Sequence, residues 1–306
     1  MAIGRMWRTR VARFVRRPPE RREAEARPSS VRCAPGSTTA CGDAQTEGVI
    51  RLVHLVRRRP DLDAATFGAR LLDDHGPLLA SLRLALGIVR ATIAVRTGDP
   101  ADERMAQARG GMEEPYDAVI EVWFRSEAEL LDRLGTERGR SASSGLVGSE
   151  RTFSDLATSP MFLAHEYPQV NPTPESIVAH PNSGLAKLHF PLRHVHAMTP
   201  TDAQTYWHTM HGPLIRSMAP GMGILRYQQV HRFPSSIETR MRADRGVAVD
   251  PYLGHAEVWS DRGATRSGEV AARGGRRAIE DESRFIDFRR SAIWFGAEHL
   301  LIDGHL

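Results

Sequence analysis

The chain has 306 residues, with 41 Lys and Arg against 37 Asp and Glu. That is long enough for two domains of ordinary size, each with its own core. Its hydrophobic and charged fractions, 41% and 25%, are those of a globular protein, and no apolar run reaches the roughly eighteen residues of a membrane span.

Residues 1–47 carry ten Arg, from Arg5 to Arg32, against Glu20, Glu23, Glu25, Asp43 and Glu47. Subtracting that +5 from the total of +4 leaves −1 for the rest of the chain. No basic stripe for nucleic acid is therefore implied there, and no nucleic-acid partner is expected. The segment from Pro18 to Glu47 is rich in Pro, Arg, Glu, Ser and Gly, and is expected to be disordered. Within residues 2–17, Ile3, Trp7, Val11, Phe14 and Val15 fall at helical spacing among arginines. Such a stretch could make weak contact with an anionic membrane surface. No secretory signal is legible, and Arg16-Arg17 precedes Pro-Pro-Glu rather than an apolar run, so the expected compartment is the cytoplasm. The only cysteines, Cys33 and Cys41, lie in this tail, which leaves the rest without a disulfide or a Cys-based metal site.

From Gly48 the sequence repeats itself at a shift of 136. Gly48 matches Gly184, His75-Gly76-Pro77-Leu78 matches His211-Gly212-Pro213-Leu214, and Glu121-Val122-Trp123 matches Glu257-Val258-Trp259. The match runs without a gap from Gly48 to Trp123, which identifies an internal duplication. In the first copy, residues 49–57 read as a strand. A helix follows over 63–84, with Asp63 as N-cap and a break at Gly76-Pro77. Residues 87–96 are a second strand, 97–115 an excursion, and 116–124 a third strand. A helix starts near Ser126 and holds Leu130, Leu131 and Leu134. Residues 137–149, rich in Ser and Gly, read as a loop before a helical turn at 151–157 and a last strand at 161–167. The second copy reads as strand 185–193, helix 201–218, strand 223–232, excursion 233–251, strand 252–260, helical residues within 263–289, and strand 292–301.

Each copy has the order β-α-β-β-α-β, the split βαβ or ferredoxin-like pattern of the α+β class. The expected organisation is a basic tail at 1–47, repeat one at 48–170, a linker at 171–183 and repeat two at 184–306. A sheet of this topology carries helices on one face and needs a cover on the other, apolar one. Two copies can cover each other and form an intrachain α/β barrel, so the chain is expected to act as a monomeric pseudo-dimer or as a homodimer.

The stretch Tyr206-Trp207-His208-Thr209-Met210-His211-Gly212-Pro213-Leu214 resembles the signature helix of the EthD family. Repeat one keeps the His-Gly-Pro-Leu but has Leu71 in place of Trp207. The segments around Phe153 and Asp155, and around Phe285 and Asp287, look like that family's second helical motif. The resemblance covers roughly 48–167 and 184–302 and implies a dimeric α/β-barrel fold. It also implies a choice of chemistries. Relatives include cofactor-free polyketide cyclases, dehydratases, isomerases, quinone-forming monooxygenases and haem enzymes, and the family name comes from ether breakdown, where the role is indirect.

His211 is the leading candidate for catalysis. Ala203, Trp207, His211, Leu214 and Met218 form one helical stripe, which turns the imidazole toward the sheet. Such a setting can tune an acid–base group working near neutral pH. His75 repeats the position. A structural alternative is that each ring satisfies the backbone carbonyl freed by Pro77 or Pro213, near residue 73 or 209. In the third strand, His255, Glu257 and Trp259 share one face and Tyr252, Gly254, Ala256 and Val258 the other. The first set could line a cavity, with Glu257 as an acid. The alternative pairs Glu257 with Arg226 or Arg90 across strands. His189, His194, His196, His231 and His255 make repeat two the histidine-rich half. His194-Val-His196 is compatible with a metal, but the spacing names none and no metal is assigned. Tyr206 and Tyr227 could donate to a substrate oxygen. There is no dinucleotide fingerprint, Walker loop or nucleophile elbow.

The expected function is cofactor-independent lyase, cyclase or isomerase chemistry of secondary metabolism. His211, His75, Tyr206 and Glu257 would act on an aromatic or polyketide-like carbonyl compound, held by Trp207, Trp259, Tyr227, His255 and His189. Two other readings stay open: a non-catalytic ligand-binding or accessory protein of an oxygenase pathway, and a haem-binding barrel enzyme.

Overall fold

The computed structural model describes residues 48–173, 177–262 and 268–304. The expected disorder of 1–47 and the membrane contact of 2–17 fall outside the described residues. No described helix is long and apolar enough to cross a membrane.

Eight strands form the frame: β1 (Ile50–Val56), β2 (Ile88–Arg96), β3 (Ala118–Phe124), β4 (Met161–Val170), β5 (Leu185–Leu192), β6 (Ile224–Arg232), β7 (Gly254–Asp261) and β8 (Trp294–Ile302). They close into one antiparallel barrel in the order β1-β3-β2-β8-β5-β7-β6-β4. Each half contributes four strands. The two seams are β2 on β8 and β4 on β6, so each half pairs its last strand with the other half. The duplication is kept in register: Ile50 faces Phe124 as Ala186 faces Ser260. Closure leaves the barrel with no free edge.

In each half a helix runs from β1 or β5 to the next strand. The first is α1 (Ala64–Ala69), a π-helical turn at Arg70–His75, α2 (Gly76–Ser81) and α3 (Arg83–Leu86). Asp63 caps it, accepting from Thr66 N. The second is α7 (Pro200–Tyr206), a π-helical turn at Trp207–His211, and α8 (Gly212–Met222). Proline has no N–H to donate, and the chain absorbs this by widening one turn rather than breaking. Gly76 N and Gly212 N donate to Leu71 O and Trp207 O, five residues back. Left-handed Gly87 and Gly223 (φ 71° and 66°) then end the helices and start β2 and β6.

Both excursions contain helices: α4 (Ala101–Gln107) and α9 (Ser236–Arg245). After β3 come α5 (Glu127–Gly135) and α6 (Glu137–Glu150), and before β8 comes α10 (Glu269–Glu282). The expected loop at 137–149 is therefore wrong. Thr136 caps α6, and Ala142, Leu146 and Val147 are buried at helical spacing. Gly139 permits a close approach at the start of the helix, since a Cβ there would collide with the Arg133 carbonyl.

The faces inside the barrel are not uniformly apolar, as the sequence suggested. One end holds Val53, Leu55, Val119, Phe162, Val230 and Trp294. There Tyr116 and Tyr252, counterparts under the duplication, meet hydroxyl to hydroxyl at 3.1 Å. The other end holds a buried ion cluster built from Arg51, Lys187, Glu121 and Glu257.

Candidate active site

Between the helices and the sheet of the second half lies a cavity of about 440 Å³. Leu188 and Phe190 of β5, Tyr227 of β6, and Ala256, Val258 and Ser260 of β7 form its floor. Trp207, His211 and Ile215 stand on one helical wall, and Ala271, Gly275, Ala278 and Glu282 of α10 on another. Ala101, Arg104 and Met105 of α4 complete it from the other half of the chain.

His211 is 4% exposed. Its Nδ1 lies 2.8 Å from Asp281 Oδ2, on α10. The hydrogen bond from His211 holds the Asp281 carboxyl below its ordinary pKa. An ionised carboxylate only accepts, so Nδ1–H is the donor. That assigns the tautomer and leaves Nε2 with no protein partner among the described residues. Tyr206 donates to the other oxygen of Asp281 at 2.7 Å. The expectation that Tyr206 contacts substrate is corrected: its hydroxyl orients the carboxylate behind the imidazole, and Tyr206 does not line the cavity.

Tyr227 does line it. Its hydroxyl accepts from Trp207 Nε1 at 2.9 Å and from Gln229 Nε2 at 3.2 Å. The Gln229 amide is oriented by its donation to Trp207 O at 2.8 Å and by His231 Nε2, 3.1 Å from its Oε1. With both lone pairs engaged, Tyr227 has its hydroxyl hydrogen to give. Burial raises its pKa, so the proton stays. The Trp207 ring stacks on His231 at 4.4 Å and sits so near Gly254 that a Cβ there would come within 2.7 Å of it. Burial pushes His231 down to about 3, which keeps it neutral.

The structural alternative for the histidines is also corrected. Neither ring bonds a freed backbone carbonyl. The rings instead reach across to the neighbouring helix, His75 to Ser149 and His211 to Asp281. His75 Nδ1 lies 3.0 Å from Ser149 Oγ. Around it the first half has a cavity of only about 30 Å³, lined by Leu79, Leu86, Leu130, Leu134 and Leu146 among others.

Glu257, Trp259, His255 and His189 are not at this cavity. They occupy the opposite face of the sheet, inside the barrel. Alternation along β7 showed which residues share a face, but the small, apolar face turned out to be the cavity floor. Glu257 pairs with Arg51 and Lys187, not with Arg90 or Arg226. Lys187 Nζ lies 2.8 Å from Glu121, 2.7 Å from Glu257 and 3.0 Å from Glu298. Arg51 also contacts Glu121, and reaches Glu166 at 2.8 Å. Trp123 donates to Glu166 and Trp259 to Glu298, at 2.9 and 3.0 Å. The two cations hold Glu257 well below its ordinary pKa against the pull of burial.

His189 and His255 stack beside these acids, Nδ1 to Nε2 at 3.1 Å. With Glu121 and Glu257 they bring four ligand-type atoms within 4.8 Å of one another. The carboxylates already hold Arg51 and Lys187, so an entering metal ion would meet two fixed positive charges. Burial pushes His255 down to about 3. The arrangement is a network of two cations and four carboxylates next to a neutral histidine pair. His194 lies elsewhere, its Nδ1 2.9 Å from Val195 O.

The fold and cavity define the class: an α/β barrel of the kind usually assembled from two ferredoxin-like chains, here from one. The sequence profile of the EthD domain matches residues 59–156 and 196–289. The chain belongs to that family, with two copies in tandem. No curated protein matches it. Among solved structures, an anthrone oxidase-like protein is 9% identical, covering 83% of this chain and 94% of its own, with a TM-score of 0.50. An ethyl tert-butyl ether D (EthD) family protein from Bacillus halodurans C-125 is 17% identical over 39% of this chain and 99% of its own, TM-score 0.28. A chlorite dismutase variant from Candidatus Nitrospira defluvii is 11% identical over 82% and 92%, TM-score 0.40. At these identities the likeness concerns fold alone.

Proposed function

We propose that the second half carries a cofactor-independent acid–base site for an apolar, aromatic or polyketide-like carbonyl compound. The reaction would be a dehydration, cyclisation or isomerisation. The observation that carries this is His211, backed by Asp281, on the wall of a cavity of about 440 Å³ whose lining is mostly apolar, with Arg104, Arg109 and Glu282 as its charged members. That volume lies within the range of roughly 300–1,000 Å³ usual for small-molecule sites.

In this reading the substrate carbonyl oxygen accepts from the Tyr227 hydroxyl. His211 Nε2 takes a proton from the adjacent carbon, and the negative charge passes to that oxygen. Asp281 stabilises the imidazolium through Nδ1, and Tyr206 keeps Asp281 aimed. The proton then returns to a leaving hydroxyl or to another carbon. The first half would serve as scaffold, making one chain a functional pseudo-dimer.

The test is α-proton exchange of 2-tetralone in D2O, followed by NMR. The wild type should accelerate exchange and His211→Ala should not, with melting temperatures within a few degrees of each other. Saturable tetralone binding with no exchange in the wild type would replace this reading by a non-catalytic ligand-binding or accessory role. A second reading rests on the same nitrogen: His211, backed by Asp281 at Nδ1, would hold a haem iron, which would supply redox chemistry. A Soret band on adding haemin, lost in His211→Ala, would establish it.

A further inference from the structure

The chain contains its own control for this cavity. The two helix–sheet interfaces are built on the same frame, yet one encloses about 440 Å³ and the other about 30 Å³. The strand registers align Phe124 with Ser260 and Ile120 with Ala256 at the shift of 136. On the helix that follows, the shift is 132: Glu137–Glu150 corresponds to Glu269–Glu282, which aligns Leu146 with Ala278. At all three pairs the first half has the larger side chain, and all six line their respective cavities. Leu130 and Leu134 of α5 add further bulk in the first half. Between the third strand and this helix the second copy is four residues shorter, and among its described residues no α5 counterpart lines the cavity.

We infer that Ala256, Ser260 and Ala278 are the specificity-determining residues of the second-half site. The ligand they admit is an apolar ring system that occupies the volume filled in the first half by Ile120, Phe124 and Leu146. This deepens the proposed function, since it takes the cavity as the ligand site. The lining supports the ligand class: Phe190, Trp207 and Phe295 offer ring faces, and Met105 and Met222 adaptable apolar contact. Met105 comes from α4, whose partner in the duplication, α9, places Met241 in the filled interface. The site therefore draws on both halves of the chain.

The experiment transplants the first half's residues into the second. Binding of 1-aminoanthracene to the full chain is followed by fluorescence for the wild type, Ser260→Phe/Ala278→Leu, and the milder single variant Ala256→Ile. The double variant should weaken binding about tenfold or more, the single variant less, and neither should lower the melting temperature appreciably. The single variant keeps the test decisive if the double variant does not fold. Unchanged affinity in a folded variant would overturn the assignment. Asp281→Asn, at a residue that stands behind the wall and does not line the cavity, serves as the separating control and should retain the probe. Loss of exchange chemistry with retained probe binding would speak to the proposed reaction, not to these residues.

Discussion

The His211 imidazole donates to Asp281 at 2.8 Å across two helices, while its counterpart His75 lies against the Ser149 hydroxyl, at 3.0 Å. A carboxylate behind the ring sets the tautomer and stabilises the protonated form, whereas a hydroxyl does neither strongly. The two halves thus share a histidine but not the partner that would make it an effective base.

Asp281→Asn should therefore lower the exchange rate while leaving the cavity intact. We expect a loss of roughly 10²-fold or more in kcat with little change in KM, as when a general base loses its orienting group. The measurement is tetralone exchange against concentration for both proteins. Equal rates would remove Asp281 from the account.

Tyr227→Phe tests the hydroxyl of a residue that lines the cavity. The substitution deletes the donor proposed for the carbonyl oxygen, and also leaves Trp207 Nε1 and Gln229 Nε2 short of an acceptor. A loss of about 1–3 kcal/mol in unfolding free energy should accompany slower exchange. Urea titration reads the first effect and NMR the second. A variant that is slower but fully stable would contradict the assigned hydrogen-bond network.

The buried ion cluster gives a prediction about stability. Lys187 is 1% exposed and bridges Glu121, Glu257 and Glu298. Lys187→Met would leave three buried carboxylates dependent on Arg51 and the indoles. Breaking such a group on one side costs about 3–5 kcal/mol. Urea unfolding at neutral pH should show this loss, and a change below 1 kcal/mol would mean that the cluster is well hydrated.

Acid should destabilise the barrel in a definable window. Burial pushes His54 to about 4, and His231 and His255 to about 3. Each is then neutral when folded and protonates near pH 6.5 when unfolded. The unfolded state binds more protons between those limits, so stability falls as pH drops through 6 toward 4. Each such group adds up to about 1.4 kcal/mol per pH unit to the slope well below 6.5. His54→Phe, which installs the residue the second half has at Phe190, should remove one such contribution from the slope. Unfolding free energies between pH 7 and 5 check it, and an unchanged slope would deny that His54 is buried and neutral.

Much of this was legible in residue numbers alone. The constant shift of 136 exposed two half-barrels, and the stripe containing Trp207 and His211 located the cavity wall. Asp281 was missed because the shift becomes 132 after the third strand. At 136 it falls opposite Gly145, which hides its real counterpart, Ser149. Helix α6 was missed because Ser and Gly dominate its sequence, while its buried face rests on Ala142, Leu146 and Val147. Alternation grouped Glu257 with Trp259 correctly but carried no sign for which face is sheltered by helices. Lys187 is the only lysine in the chain. Its burial among acids from both halves depends on barrel closure, which is not a local property of sequence.

The most direct measurement compares the two histidines in one assay. Tetralone exchange is recorded for the wild type, His75→Ala and His211→Ala, each verified as folded. The His75→Ala rate should stay close to wild type and the His211→Ala rate should fall to the solvent background. Equal losses in both variants, or none in His211→Ala, would contradict His211 as the base.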